Sequence, residues 1–195
     1  GWAQNFAAGI LTQSSAGFQL LPYGRIQALW SSTGESRGYG WPAGNPSCTS
    51  FGRHQPVTGA ILSDSSWGTY AIVGGLGVYW RDHSGATAFG PAINPLRYSA
   101  ASGGGYIQHF RDGVITQTTA GQTVFTPYSP ILSLWYYYGG EQTWLGWPTA
   151  APVCAAGPCT QQFHNGVARS HLAGNVTFPR ACPADLRSPV PAPPR

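Results

Sequence analysis

The chain contains no lysine and no methionine, and it is poor in charge altogether. Charged residues make up 8% of its 195 positions, against about a quarter in an average soluble domain. The net charge of +4 comes only from arginines, which are scattered and form no run. A nucleic-acid-binding domain gathers its cations on one face or helix, so DNA and RNA are not expected partners. Scarce charge combined with abundant aromatics also excludes a disordered chain. No apolar run approaches the ~20 residues that span a bilayer, so no membrane span is expected.

Catalytic equipment is equally thin. No serine stands in a G-x-S-x-G elbow. The carboxylates are Glu35, Asp64, Asp82, Asp112, Glu141 and Asp185, and a glycosidase needs two of them facing each other across a bond. Glu35 and Glu141 fall at similar places, just after similar helical segments, which reads as a structural or surface role. His54, His83, His109, His164 and His171 lack the spacing of metal ligands. No enzyme activity and no cofactor are expected. The four cysteines also lack metal spacing, so they predict two disulfides and an oxidising compartment. Cys154 and Cys159 share one loop and are close enough to bridge locally. That pairing would leave Cys48 with Cys182, which folds the chain back on itself; the other two connectivities stay open.

What the chain has is aromatic residues and turn formers: 8 Trp, 10 Tyr and 8 Phe, with 27 Gly and 17 Pro spread along its length. That pattern suits many short strands joined by tight turns. The residues also recur. Gly9, Gly59, Gly113 and Gly166 each open an apolar or alternating stretch (GILTQSS, GAILSDSS, GVITQTT, GVARSH), and Gly17, Gly68, Gly121 and Gly174 follow eight or nine residues later. Each pair of stretches predicts a β-hairpin whose turn uses the second glycine. Ile26, Leu29 and Trp30 match Leu76, Tyr79 and Trp80, then Ile131, Leu134 and Trp135. The i, i+3, i+4 spacing is one face of a short helix, and it predicts these tryptophans in the core. Ser129-Pro130 suits a helix start, and Gly34, Gly85 and Gly139 suit helix ends. Gly77 makes the second helix the weakest.

A third anchor follows each of those tryptophans: Tyr39-Gly40-Trp41-Pro42, Phe89-Gly90-Pro91 and Leu145-Gly146-Trp147-Pro148. The second of these reads as one residue short. A fourth precedes the hairpin glycine, QNF at 4–6, QHF at 108–110 and QQF at 161–163, with Gln55-Pro56 in its place in the second copy. These anchors divide the chain into a partial N-terminal repeat (1–22), three fuller repeats (23–73, 74–127 and 128–179, the middle one degenerate) and a proline-rich tail (180–195). The fold expected is mainly β with short helices, as tandem ~50-residue repeats.

The LGWP and YGWP tetrapeptides, recurring with QHF-RDG-V and QQF-HNG-V, resemble the LGFP repeat family over roughly residues 4–179. The resemblance implies that each repeat is a small four-stranded β unit plus a short helix. It also implies a secreted or cell-envelope protein of actinobacterial type that binds a cell-wall polysaccharide of the peptidoglycan–arabinogalactan kind. A protein–protein adaptor or stalk subunit of a secreted assembly is the alternative, marked by one continuous apolar patch in place of repeated clefts. A hydrolase with an unrecognised site is a third.

For glycan binding, Trp41 and Trp147 are candidates, because a turn tryptophan can offer a flat face to sugar C–H groups. The competing expectation is that each packs on the neighbouring repeat. Arg111, Asp112, His164 and Asn165 fill the two positions between the motif phenylalanine and glycine. They either contact ligand or form a solvated turn.

Overall fold

A computed structural model describes residues 1–154, 158–170 and 176–177. The fold is mainly β, with four small antiparallel sheets and a few short helices. The first sheet joins β1 (Trp2–Phe6), β2 (Gly9–Ser14) and β3 (Gly17–Pro22). The second runs β4 (Ser47–Thr49), β5 (Gly52–Val57), β6 (Ala60–Ser65) and β7 (Gly68–Val73). The third runs β8 (Arg97–Ser99), β9 (Gly105–Phe110), β10 (Gly113–Thr118) and β11 (Thr123–Pro127). The fourth runs β12 (Val153–Cys154), β13 (Cys159–Phe163), β14 (Gly166–Ser170) and β15 (Val176–Thr177). The predicted hairpins are present as β2–β3, β6–β7 and β10–β11. Gly17 and Gly68 are not in the turns as expected but open β3 and β7 just after them, paired with Ser14 and Ser65, while Gly121 lies in its turn; all three have positive φ, a conformation that side chains resist. Gly174 lies outside the described residues.

Between the sheets lie α1 (Arg25–Ser32), α2 (Gly74–Asp82), the single turn α3 (Gly85–Ala88) and α4 (Pro130–Tyr137). Ser129 caps α4 as its sequence predicts, its hydroxyl accepting from the Leu132 amide at 3.3 Å. Gly77 does not break α2. A Cβ there would sit 2.6 Å from the Ile72 carbonyl oxygen, so only glycine lets the helix lie this close to β7.

Each tryptophan-bearing helix is shared by two sheets. Ile26 and Trp30 of α1 pack with Ile10 and Leu21 of the first sheet and with Val57, Ala60 and Leu62 of the second. Leu76 and Trp80 of α2 pack with Ile61 and Ile72 of the second sheet and with Phe110 and Ile115 of the third. Ile131, Leu132 and Trp135 of α4 pack with Ile107 and Val114 of the third sheet and with Phe163 and Ala168 of the fourth. The core is therefore three clusters, one around each of these helices. Alternation along β6 and β10 sends neighbouring residues to different clusters: Ile61 and Leu62, then Val114 and Ile115.

Register corrects two readings of the sequence. In the strand pairs before each hairpin, Phe6 faces Gly9, Phe110 faces Gly113, and Phe163 faces Gly166; in the second sheet Val57 faces Ala60. Ala60, not Gly59, thus occupies the anchor position. Gly59 belongs to the two-residue turn Thr58-Gly59, and Gln55-Pro56-Val57 is the counterpart of QHF. Isolated bridges tie Pro42 to Val57, Ala92 to Phe110 and Pro148 to Phe163. The middle segment is therefore Phe89-Gly90-Pro91-Ala92 and lacks no residue: proline stands where the others have tryptophan, and alanine where they have proline.

Candidate functional site

The tetrapeptides hold the fold through one recurring set of hydrogen bonds. Their glycines take positive φ (86° at Gly40, 75° at Gly90, 70° at Gly146). This turns each glycine carbonyl toward the helix, where it accepts an indole N–H: Trp30 to Gly40 at 2.8 Å, Trp80 to Gly90 at 3.1 Å, Trp135 to Gly146 at 3.0 Å. The carbonyls on either side face the hairpin turn. Thr58 and Gly59 donate their amides to Trp41 and Tyr39, Arg111 and Asp112 to Pro91 and Phe89, and His164 and Asn165 to Trp147 and Leu145, at 2.9–3.2 Å. The positions between the motif phenylalanine and glycine therefore act first through their backbone.

The motif glutamines, not singled out from sequence, complete this arrangement. Each is buried and donates from Nε2 to a carbonyl just beyond the tetrapeptide: Gln55 to Gly44, Gln108 to Asn94, Gln161 to Ala150. A buried amide that closes a loop in this way is structural.

The predicted glycan residues separate. Trp147 is fully buried in the cluster around α4, and its indole donates to the Ala101 carbonyl at 3.0 Å. Its ring lies where a Cβ on Gly105 would fall, 2.8 Å away. It cannot meet a sugar; packing on the neighbouring sheet is what it does. Arg111 pairs with Asp112 and lays its guanidinium 3.6 Å from the centre of the Phe51 ring, in the β4–β5 turn of the second sheet. That contact joins two sheets. His164 is exposed, and Asn165 donates its side-chain amide to the Trp144 carbonyl at 2.7 Å. The clefts formed at Trp41, at Arg25 and at Arg81 are lined by none of these four residues.

Trp41 is different. It is half-buried, its ring centroid 6.4 Å from that of Trp30. Its indole N–H has no hydrogen-bond partner among the described residues. It borders an open cleft of about 650 Å³ together with Trp2, Ser31, Glu35, Ser36 and Arg37. A second open cleft, about 580 Å³, lies between Arg25, Cys48, Phe51, Arg53 and Asp64, where Arg25 pairs with Asp64 at 2.9 Å. Each cleft holds a single carboxylate. Among the described residues no group of His, Cys, Asp and Glu is placed to hold a metal ion.

Cys154 and Cys159 form a disulfide across β12 and β13. Cys48 is exposed and forms no disulfide among the described residues; Cys182 lies outside them.

Among the titratable groups held away from their ordinary values, His54, His109 and Glu141 bear most on the fold. Burial presses His54 down to about 4. It is 2% exposed, neither ring nitrogen has a partner among the described residues, and it lies 5.0 Å from Trp80. Burial first, and then Arg97, lowers His109, whose Nε2 is 3.1 Å from the Tyr136 hydroxyl. Burial pushes Glu141 up, but hydrogen bonds from Arg97, Ser99 and its own backbone amide outweigh it and leave the carboxyl below its ordinary value.

No protein-family model matches the sequence, and no curated protein is similar to it. The resemblance to LGFP repeats rests on the residues quoted above. No helix among the described residues is long and apolar enough to cross a membrane.

Proposed function

We propose that the chain is a non-catalytic tandem-repeat protein, secreted or envelope-associated, that binds a cell-wall polysaccharide in the cleft at Trp41. The observation that carries this reading is the cleft itself, where an indole face meets hydroxyl, carboxylate and guanidinium side chains. Stacking on the ring with hydrogen bonds around it is how sugars are held. The repeat reading is supported by the shared helices and the thrice-recurring indole-to-glycine bond. The Cys154–Cys159 disulfide fits an oxidising compartment. With Trp147 interior and Pro91 in the middle segment, the reading rests on one site and not on several weak ones.

Sedimentation with purified actinobacterial walls tests it. The protein is expected in the wall pellet, and Trp41→Ala is expected to release it to the supernatant. A protein that stays in solution with every wall preparation overturns the reading.

The adaptor or stalk reading is favoured by a separate observation, a continuous exposed apolar face on the first sheet.

A further inference from the structure

We propose that the cleft between α1 and the second sheet binds the carboxylate of an acidic saccharide, and that Arg53 is the residue that grips it. Arg53 stands directly opposite Asp64 across β5 and β6, a place where opposite charges attract. Asp64 nevertheless pairs with Arg25, the first residue of α1. Arg25 Nε donates to Asp64 Oδ1 at 2.9 Å, and Arg25 Nη2 donates to the Ser65 carbonyl at 3.0 Å. The same Oδ1 accepts from the Thr69 hydroxyl at 2.6 Å. Arg53 is exposed and has no carboxylate partner among the described residues. It borders the open cleft of about 580 Å³, together with Thr49, Ser50 and Ser66. Two guanidiniums and one carboxylate leave a single positive charge there.

The same positions are filled in the next two sheets. Cys48 and Arg53, opposite each other on β4 and β5, correspond to Tyr98 and Tyr106 in the third sheet and to Cys154 and Cys159 in the fourth. The two tyrosine rings meet at 5.2 Å, and the two cysteines form the disulfide. Asp64 corresponds to Gln117, and Arg25 to Gly75. There the helix lies so close that a Cβ on Gly75 would fall 1.9 Å from the Gln117 side-chain nitrogen. In the second sheet these positions hold a cleft open and leave a cation on it. Phe51 borders the cleft too, and the Arg111 guanidinium of the third sheet holds its ring in place. The ligand must match this chemistry. A guanidinium presents a planar fork, two N–H groups to the two oxygens of a carboxylate. One negative charge balances the cleft, whereas a doubly charged phosphate would set its second charge against Asp64. Hydroxyl side chains around the charge suit the hydroxyls of a sugar, and the volume falls within the roughly 300–1,000 Å³ of small-molecule sites. A uronic acid unit carries both groups.

The inference goes beyond the wall-binding reading and does not rest on it, because Trp41 does not border this cleft. Calorimetric titration of the whole chain with tetragalacturonate at low salt tests it. Saturable binding is expected, weakened roughly tenfold or more by Arg53→Gln and weakened by added salt. Arg53 is exposed, so the variant keeps its far-ultraviolet circular dichroism. In the wild-type protein, backbone amide shifts on binding are expected at Thr49, Ser50, Arg53 and Ser66. Absence of saturable binding, binding that Arg53→Gln leaves unchanged, or equal binding of neutral maltotetraose overturns the proposal. So does tighter binding of inorganic phosphate than of galacturonate, since that makes the cleft a phosphate site. The two readings fail separately: this titration contains no cell wall, and the wall pellet is read with Trp41→Ala.

Discussion

Arg97 grips Glu141 with two hydrogen bonds, 2.9 and 3.3 Å, across 44 residues of sequence. Arg97 starts β8 at the edge of the third sheet, and Glu141 lies in the turn after α4. Ser102 strengthens the joint by donating to the Glu141 carbonyl at 2.7 Å. Glu141 is 1% exposed while Arg97 is half exposed. Removing the arginine strands a buried carboxylate. Arg97→Ala is expected to lower stability by about 2 kcal/mol, less than for a fully buried pair because one partner reaches solvent. The folded carboxyl titrates below its unfolded value near 4.5. The contribution of the pair is thus complete above that value and is lost as pH falls through the lower folded one. Urea titrations at pH 7 and pH 3 check this: the difference between wild type and Arg97→Ala should shrink in acid.

His54 gives a second pH dependence in a different window. Unfolded, it titrates near 6.5; folded, at about 4. Between those values the unfolded chain binds a proton that the folded chain refuses. Stability therefore falls as pH drops from 6.5 toward 4 and is flat above. His54→Leu is expected to reduce that slope without abolishing it, because His109 is held below its ordinary value too. Melting temperatures in half-unit steps of pH read it; an unchanged slope would show that His54 is not buried as a neutral ring.

The helix tryptophans should behave alike under a mild change. Trp30→Phe, Trp80→Phe and Trp135→Phe each keep a ring and lose the indole N–H to a glycine carbonyl, at about 1–3 kcal/mol. The tetrapeptide tryptophans should not behave alike. Trp147→Ala removes a fully buried side chain and is expected to cost about 3–5 kcal/mol. Trp41→Ala, half-buried, should cost clearly less. Equal losses at 41 and 147 in chemical denaturation would contradict the burial difference.

The tetrapeptide glycines make a graded series. Alanine at any of them must hold a positive φ, which costs roughly 1–2 kcal/mol. At Gly146 the new methyl has its nearest neighbour at 3.3 Å. At Gly40 it meets the Thr58 hydroxyl at 1.9 Å. Gly40→Ala is expected to destabilise more than Gly146→Ala, and thermal melts of the two variants rank them.

Much of this architecture was legible in the sequence, because the signals are local. The spacing of Ile131, Leu134 and Trp135 needs only a helix, and Gly121 needs only a tight turn. The hairpin of the second sheet is harder to read because Thr58-Gly59 places a glycine one position before the residue that faces Val57, and glycine alone does not say which residue faces which across a hairpin. For Trp147 the sequence offered two expectations, a sugar or a neighbouring sheet, and could not choose between them. Its surroundings come from Ala101 and Gly105, more than forty residues away, and no pattern around the tetrapeptide encodes them. Arg111 likewise meets Phe51, which is far away in sequence. The role of Arg97 could have been suspected only from Glu141, whose burial depends on a neighbouring sheet.

Sharing each tryptophan helix between two sheets has a mechanical consequence. A layer in the middle of the stack has apolar linings on both faces and cannot peel away without baring the linings of both neighbours. Among the described residues the first and fourth sheets each share a lining with one neighbour only, so under tension they are expected to detach before the second and third.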